Sequence, residues 1–293
     1  MNKAIAEIIA GLIPHKLTRN RWRGILRYGI LNSIKLIRTV KRERETPTQY
    51  YLAVYAMAKN EGPYFVEWIE WHKNLGVEKF YIYDNESTDD TRKILEPYIE
   101  SGLVDYVFFP GKKQQLSGYD HCLEKHRFEA RWIAFIDLDE FIVPIKDQTI
   151  PDFLKRFESF SVVEINGLIY GSGGAKKKDA GGVMERFKYH SIPSNRFNRH
   201  VKSIVNPRCV FTFIGAHEAA RISGKTADSH GNSIKKNFRD REPQQDIIRL
   251  NHYMVKSYEE FLEKHSRGSV RGDHKRFSME YFDKFDLNDI KEE

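Results

Sequence analysis

Short apolar runs alternate with longer segments in which apolar residues recur every three or four positions, between about residue 50 and residue 137. The runs at 50–57, 79–83, 103–109 and 132–137 predict strands, and the segments between them predict helices of about a dozen residues. Strands that alternate with helices of this length form parallel β-α-β units with right-handed crossovers. The pattern therefore predicts an α/β fold with a mainly parallel sheet flanked by helices.

Polar residues follow three of these strands at the point where each strand ends. The three groups are Asn60 with Glu61, Asp84 with Asn85, and Asp137 with Asp139. In open α/β sheets, ligands bind beyond the carboxyl ends of the strands. Polar groups at three such ends predict a binding site along that edge of the sheet.

The most informative of these groups is the Asp-x-Asp formed by Asp137 and Asp139. Residues two apart on an extended chain project to the same face, so the two carboxylates are expected to converge. Two ionised carboxylates held close together repel each other unless a cation lies between them, and oxygen ligands favour Mg²⁺ or Mn²⁺. The motif predicts a metal site for a phosphorylated substrate; a solvated acidic turn is the alternative.

The N-terminal 46 residues differ from the rest of the chain in charge. They contain 11 Lys/Arg and 3 Asp/Glu, a net charge of +8, which leaves the other 247 residues at −1. Two apolar helical stripes run through this leader, one at Ile5, Ile8, Ile9, Leu12 and Ile13 and one at Leu26, Ile30, Ile34 and Ile37. A basic amphipathic leader fits a membrane-surface anchor. A helical hairpin packed on the main domain fits equally well.

Composition excludes several other classes of protein. No apolar run approaches the roughly 18 to 20 residues that span a bilayer, and Glu7 interrupts the stretch that could be mistaken for a signal peptide. We therefore expect a cytoplasmic protein, peripheral on the inner face of the membrane if the leader inserts. Cys122 and Cys209 form no C-x-x-C pair, so no zinc site or disulfide framework is indicated. Nucleic-acid recognition motifs are missing.

A charged, proline-containing stretch at 41–48 divides the chain into a leader at 1–46 and a domain at 47–293. In that domain, the order and spacing of several motifs are similar to those of glycosyltransferase family 92 and its family 2-like relatives, over about residues 50 to 270. The segment at 81–91 resembles the family 2 pattern, except that Glu86 replaces a glycine. The motifs are Lys59-Asn-Glu61, Glu67-Trp68 with His72, Gly76-Val77, Tyr83-Asp-Asn85, Asp137-Leu-Asp-Glu-Phe141, Lys202-Ser-Ile204 with Pro207, and Asn251-His-Tyr253 with Lys256-Ser257.

This resemblance implies a Rossmann-like GT-A fold and inverting transfer of a hexose from a nucleotide-sugar, most simply a UDP-sugar. The acceptor would be a glycan or a lipid-linked sugar in surface polysaccharide or lipopolysaccharide synthesis. Mn²⁺ or Mg²⁺ would be bound directly by Asp139 and His252, with Asp137 contacting ribose or metal. The remaining nucleotide-sugar ligands would be Asp84 and Asn85 with the Asn60 and Glu61 loop at the base, and Lys202 and Lys256 at the diphosphate.

Transfer to a hydroxyl also needs a general base within hydrogen-bonding reach. Glu218, which follows a predicted strand at 210–214, is the first candidate, and the adjacent His217 is the second. Two rival hypotheses remain open: a haloacid-dehalogenase-like Mg²⁺-dependent phosphotransferase, which also uses Asp-x-Asp, and a non-catalytic glycan- or membrane-binding module with the same fold. In the phosphotransferases the Asp-x-Asp usually lies on the first strand and is followed by Thr or Val. Here it lies at about the fourth strand and is followed by Glu140, which disfavours that hypothesis.

Overall fold

The computed structural model describes residues 8–13, 16–43, 45–266 and 278–292. Two helices, α1 (Lys16–Tyr28) and α2 (Ile30–Arg42), precede the sheet. The first half of the domain alternates as predicted, through β1 (Tyr50–Ala58), α3 (Phe65–Asn74), β2 (Lys79–Asp84), α4 (Thr91–Glu100), β3 (Val104–Phe108), α5 (Gln115–His126) and β4 (Ala130–Phe135).

The second half is less regular and supplies the remaining strands. After β5 (Glu140–Pro144), α6 (Ile150–Leu154) and β6 (Val162–Ile169) come α7 (Val183–Arg186), β7 (Tyr189–His190), β8 (Val201–Val205), β9 (Val210–Gly215), β10 (Glu218–Arg221), β11 (Thr226–Ala227), β12 (Ile248–His252), α8 (Tyr258–Ser266), α9 (Met279–Phe285) and β13 (Ile290–Lys291). Short 3₁₀ turns lie at Gly62–Tyr64, Lys155–Phe157, Arg196–Arg199, Pro207–Cys209 and Phe238–Asp240.

One large sheet organises these strands in the order β3-β2-β1-β4-β8-β6-β12-β5, with β11 paired to β6. The strands β1 to β4 are parallel to one another. Strand β8 runs antiparallel to both β4 and β6, and β12 is parallel to β6 but antiparallel to β5. The predicted α/β, GT-A class of fold, with a mainly parallel sheet flanked by helices, is confirmed.

The alternation of side chains along β1 shows how the sheet is buried on both faces. Leu52 and Val54 pack with Trp68 of α3 in one apolar cluster, whereas Ala53 and Tyr55 pack on the opposite face. All of these side chains are fully buried. A central strand covered by helices on both faces is apolar at nearly every position, which explains the continuous run that predicted it.

The structure corrects the expected end of the fourth strand. Strand β4 stops at Phe135 and β5 begins at Glu140, at the far edge of the sheet beside β12. The intervening residues form a turn in which the Glu140 N–H donates to the Asp137 carbonyl, 3.0 Å away. Asp137 and Asp139 therefore lie in a turn and not on the extended strand that was expected, although both line the same cavity.

The leader packs on the domain through α1. At Gly24, a Cβ atom would lie 2.7 Å from Cβ of Ala220, so only glycine allows this approach. Nη1 of Arg27 donates to the carbonyls of Phe213 and Ile214, at 3.3 and 3.2 Å. The inner face of the leader therefore packs on the domain, as the hypothesis of a packed helical hairpin predicts.

The outer face of the leader is apolar and exposed. Within the described residues it includes Ile8, Leu12, Ile30, Leu31 and Ile34, with Leu12 and Leu31 about four-fifths exposed, at 82% and 81%. The two predicted stripes are therefore only partly buried, and Ile5 falls outside the described residues. No helix in the described part of the chain combines the length and apolarity needed to cross a bilayer.

Candidate active site

A cavity of about 280 Å³, which we call the acidic cavity, opens beyond the carboxyl ends of the central strands. Its walls combine side chains from the turn after β4 with side chains from β8, β12, α8 and α9. The polar and aromatic residues that line it include Lys59, Glu61, Gln115, Asp137, Asp139, Glu140, His200, Lys202, His217, His252, Lys264 and Tyr281. Six residues to which the sequence assigned a role meet here: Glu61, Asp137, Asp139, Lys202, His217 and His252.

Asp137, whose side chain is about one-third exposed, at 34%, forms a charge group with the buried Lys202 and Glu140. Nζ of Lys202 lies 2.7 Å from Oδ2 of Asp137 and 3.2 Å from Oε2 of Glu140. The same Glu140 oxygen accepts the backbone N–H of Asp137, at 2.8 Å. Burial opposes the charge of Lys202, but the two carboxylates raise its pKa above the ordinary value. Lys202 is therefore a permanently charged part of the site wall.

Asp139 contacts a different cation. Its Oδ2 accepts a hydrogen bond of 2.5 Å from Nζ of Lys264, on α8, and its Oδ1 lies 3.6 Å from Nε2 of His252, on β12. Burial would raise the pKa of Asp139, but the Lys264 ammonium and His252 hold it well below its usual range. Asp139 is thus ionised, and it presents one oxygen toward an imidazole nitrogen.

Glu140 lies between these two groups. Its Oε1 is 3.7 Å from Nδ1 of His252, while its other oxygen faces Asp137 and Lys202. Burial raises the pKa of Glu140 to about 7, although the Lys202 ammonium opposes the shift. Glu140 links the Lys202 side of the site to the His252 side.

The donor set at Asp139 and His252 fits a divalent cation. A carboxylate oxygen and an imidazole nitrogen approach each other at the cavity wall, and a second and third carboxylate lie close behind. Carboxylates suit Mg²⁺ and Mn²⁺, and neutral imidazole is the commonest protein metal ligand. In each aspartate one oxygen already contacts a lysine, Oδ2 of Asp137 with Lys202 and Oδ2 of Asp139 with Lys264.

The loops after β1 and β2 are tied together by Asn60 and Asp84. Oδ1 of Asn60 accepts the N–H of Thr88 at 2.6 Å, and the backbone N–H of Asn60 donates to Oγ of Ser87 at 2.9 Å. Oδ1 of Asp84 accepts the N–H of Ser87 at 2.8 Å, and its Oδ2 accepts the hydroxyl of Tyr106. Asp84 is buried and does not line the acidic cavity, so the structure gives it a loop-holding role.

Asn85 and Glu86 complete that loop. Nδ2 of Asn85 donates to the carbonyls of Phe109 and Gly111, both at 2.9 Å. Glu86 has a φ of 62°, in the left-handed region that favours glycine. Glu86 therefore adopts a backbone conformation that favours glycine, at the position where the family 2 pattern has glycine.

Lys256 lies in a neighbouring cavity of about 310 Å³ and not in the acidic one. Its Nζ is 4.1 Å from the centre of the Tyr64 ring. Asn60 lines the same cavity, and Lys264 lines both. The predicted diphosphate ligands Lys202 and Lys256 are thus separated, with Lys264 between the two spaces.

The two candidates for the general base fall in different places. His217 lines the acidic cavity, and its Nδ1 lies 2.7 Å from the Val201 carbonyl, which accepts its proton. Glu218 lines a separate cavity beside α1. Adjacent residues on an extended chain point to opposite sides, and of the two candidates only His217 lines the acidic cavity.

Several residues of the site were not predicted from the sequence, among them Lys264, Tyr281 and Gln115. Lys264 lies 125 positions from Asp139 along the chain, and Tyr281 comes from α9 near the end of the described residues. Gln115, at the start of α5, has its Nε2 3.4 Å from Oδ1 of Asp137. No local pattern marks these residues, because only the packing of distant helices brings them to the cavity.

Comparison with known proteins identifies relatives along most of the domain. A model described as "Glycosyltransferase family 92" matches residues 55–292. A family 92 protein of Ricinus communis is 27% identical over 222 residues, covering 74% of this chain and 37% of that protein. A galactan beta-1,4-galactosyltransferase of Arabidopsis thaliana is 29% identical over 177 residues, covering 55% and 34%. The chain therefore spans only about a third of the length of these relatives.

Among animal proteins, a beta-1,4-galactosyltransferase of Caenorhabditis elegans is 28% identical over 210 residues, covering 66% of this chain and 44% of that protein. Solved structures match with low overall similarity. S. aureus TarS with UDP has a TM-score of 0.36 at 15% identity, covering 54% of this chain and 47% of that chain. Mycobacterium tuberculosis glucosyl-3-phosphoglycerate synthase with Mn²⁺ and UDP has a TM-score of 0.30 at 17% identity, covering 59% and 62%.

Proposed function

Because the chain belongs to glycosyltransferase family 92, we propose that it transfers a hexose from a UDP-sugar to a glycan or lipid-linked acceptor, with inversion at the anomeric carbon. The observation that carries the proposal is the acidic cavity, where Asp139 and His252 meet beside two lysines. Because several matched proteins are named galactosyltransferases, UDP-galactose is the first donor to test.

The reaction requires that a negative charge on the departing diphosphate be stabilised. The bond between the anomeric carbon and the diphosphate oxygen breaks, and the acceptor oxygen bonds to the opposite side of that carbon. Asp139 and His252 would hold Mn²⁺ or Mg²⁺, which would supply positive charge to stabilise the leaving diphosphate. Lys264 lines both the acidic cavity and the neighbouring cavity beside Lys256. We infer that it neutralises charge on the outer phosphate of the diphosphate.

The acceptor hydroxyl must lose a proton as it attacks. We assign this proton to His217, because its Nδ1–H is held by the Val201 carbonyl. That contact fixes the neutral tautomer in which Nε2 is the accepting nitrogen. The ring centre of His200 lies 5.3 Å away, on the same wall. A positioned general base contributes roughly 10² to 10⁴ in rate.

The leader supports a place for this reaction at the inner face of a membrane, in the synthesis of a surface polysaccharide or lipopolysaccharide. Residues 16–42 contain nine Lys/Arg and no Asp/Glu. The exposed apolar side chains of α2 include Ile30, Leu31 and Ile34. Cations beside an exposed apolar face suit an interface with anionic lipid, and the acceptor would then be presented from that surface.

The proposal is tested by incubating the purified protein with UDP-sugars, Mn²⁺ and a panel of oligosaccharide acceptors. We expect one UDP-sugar to be consumed, a glycoside of inverted anomeric configuration by NMR, and loss of turnover with chelator. His217→Gln should reduce turnover by about 10²-fold or more, whereas the matched neighbour Glu218→Gln should leave it nearly unchanged. Equal losses in both variants would overturn the assignment of His217, and no turnover with any donor would overturn the transferase itself.

A further inference from the structure

The cavity that Glu218 lines, which we call the leader cavity, lies between α1 and the domain. Its volume is about 510 Å³, the largest of the three cavities described. Residues of α1 form one wall, and β10 with the segment from Ile222 to Lys236 forms the other. It shares no lining residue with the acidic cavity or with the space beside Lys256, so catalysis does not account for it.

The leader cavity carries an excess of cations. Arg21 enters from α1, Arg221 from β10, and Lys235 and Lys236 stand on the opposite segment. Two carboxylates also line it, but Glu164 is already paired with Arg241. The four cations therefore outnumber the acidic groups available to balance them.

The two arginines are close enough to influence each other. Burial lowers the pKa of Arg221 from its ordinary value, Glu164 opposes the change, and the like charge of Arg21 adds to it. Guanidinium groups held near each other in a partly desolvated space favour a bound anion, and phosphate matches their donor geometry. This local charge is the kind of environment in which a phosphate group binds.

The surroundings of the cavity indicate where such a phosphate would come from. Trp22, 44% exposed, lines the cavity on the leader. The leader also carries the exposed apolar side chains of Leu12 and Leu31. Trp is enriched at the headgroup level of membranes, where its ring meets both apolar and polar groups. A cationic cavity next to an apolar, Trp-bearing surface suits a lipid headgroup.

We propose that the leader cavity binds the phosphate of an anionic membrane lipid, held between Arg21 and Arg221 with Lys235 and Lys236 at the rim. The headgroup would fix the leader, and with it the domain, in one orientation on the membrane. The proposal extends the membrane contact proposed above, and it does not depend on the transfer reaction.

The test uses a lipid that needs no membrane. Binding of dihexanoylphosphatidylglycerol, kept below its micelle concentration, is measured by calorimetry on the full chain, with inorganic phosphate measured in parallel. We expect saturable lipid binding that falls at least tenfold in Arg21→Gln/Arg221→Gln. Arg38→Gln/Lys41→Gln is the matched control, because it removes two leader cations outside the cavity, and it should bind the lipid like the unaltered protein.

Vesicles of phosphatidylcholine, with and without phosphatidylglycerol, separate this site from general attraction. Each leader cation contributes about fivefold to binding of the anionic vesicles, so the control pair should also lose affinity there, and the cavity pair should lose at least tenfold more. Equal losses in both pairs, or unchanged lipid binding in the cavity pair, would overturn the proposal. Inorganic phosphate binding as tightly as the lipid would overturn the lipid as its source.

If Arg21→Gln/Arg221→Gln fails to fold, as judged by circular dichroism, Lys235→Gln/Lys236→Gln replaces it. Both of those lysines are exposed at the rim, so the fold should tolerate their loss. A fivefold or larger loss of lipid binding in that variant supports the site, and no change contradicts it. If the unaltered protein binds the short-chain lipid but not the anionic vesicles, the phosphate site is supported and a membrane as the source of its lipid is overturned.

Discussion

Two groups of charged residues lie at opposite ends of the parallel strands. At the carboxyl ends, Asp139 and His252 border an open cavity. At the amino ends, Lys79 of β2 contacts Asp105 of β3 at 2.7 Å, and the His126 ring contacts Glu129 at 2.8 Å. Both groups combine carboxylates, a lysine and a histidine, so composition alone does not separate them.

The difference lies in what each group faces. Asp105, His126 and Glu129 have possible ligand atoms all within 4.8 Å of one another, the feature expected of a metal site. Yet Glu129 also accepts the Tyr81 hydroxyl at 3.1 Å, His126 stacks on that ring at 3.8 Å, and none of the three described cavities includes them. The amino-end group holds strands together, whereas the carboxyl-end group borders space for a substrate.

The largest effect that this comparison predicts is on activity. Asp139→Asn removes the ionised oxygen that faces His252, and we expect turnover to fall by about 10²- to 10³-fold while the melting temperature stays within a few degrees. Glu129→Gln, at the amino ends, should keep turnover within about twofold. Rates of UDP release measure both variants. Comparable losses in the two would mean that the amino-end group also takes part in the reaction.

The next effect is on stability, through the two lysines. Lys202→Met leaves Asp137 and Glu140 facing each other without a cation, and removing one partner of a buried ion pair costs about 3–5 kcal/mol. Asp105 and Asp137 are each about one-third exposed, at 35% and 34%, but Lys202 also faces Glu140, which is only 2% exposed, so Lys79→Met should cost less. Urea denaturation gives the free energy of unfolding for each. A larger loss for Lys79→Met would reverse our ranking of the two sites.

A third kind of site, a buried histidine whose hydrogen bonds go to the backbone, should make the stability of the fold sensitive to acid. Nε2 of His72 accepts the N–H of Ile142 at 3.1 Å, and its Nδ1–H donates to the Trp68 carbonyl at 2.8 Å. Burial lowers the pKa of His72 to about 4, from 6.5. A histidine whose folded pKa is lowered stabilises the fold above pH 6.5, and this contribution is lost as the pH falls toward 4.

For His72 the loss amounts to about 3 kcal/mol. Denaturant midpoints measured at steps from pH 7 to pH 4 should show it, and His72→Gln, which keeps an acceptor for the Ile142 N–H, should flatten that part of the curve. An unchanged slope in His72→Gln would place the acid sensitivity elsewhere.

The smallest effect concerns stability at the amino ends. Glu129→Gln keeps an acceptor for the Tyr81 hydroxyl but removes the charge beside His126. A single hydrogen bond to a charged group contributes about 1.5–3 kcal/mol, and a neutral acceptor retains part of it, so we expect a loss of about 1 kcal/mol in the free energy of unfolding. A gain in stability would show that the carboxylate strains this end of the sheet.

The sequence predicted the parts of the fold that depend on local pattern. Strands β1 to β4 and the helices between them follow from apolar runs and turn signals, and Gly76, with a φ of 92°, follows α3 as expected. The Ser-x-x-Glu spacing of Ser257 and Glu260 predicts a capping box, which the structure contains: Oγ of Ser257 accepts the N–H of Glu260 at 3.3 Å, and Oε2 of Glu260 accepts the N–H of Ser257 at 3.2 Å.

The site was predicted less completely, because long-range pairing decides it. The sequence-based prediction ended the fourth strand at Asp137 and assigned no separate strand to the apolar residues after Glu140, yet they belong to β5, which pairs with β12 more than 100 positions later. His252 was found through resemblance to a family motif, whereas Lys264 follows no such motif. The sequence ranked Glu218 above His217 without a basis for the direction of either side chain, which depends on a turn that only the packed structure defines.

The close fit of α1 at Gly24 has a practical consequence for anyone producing this protein. Removing residues 1–46 would uncover Phe211 and Ala220, which are buried beneath the leader, and shortened versions should be recovered in poor yield or as aggregates. The leader therefore cannot be treated as a detachable targeting tag. Fusion partners and purification handles belong at the far end of the chain, and a failed truncation would say nothing about membranes.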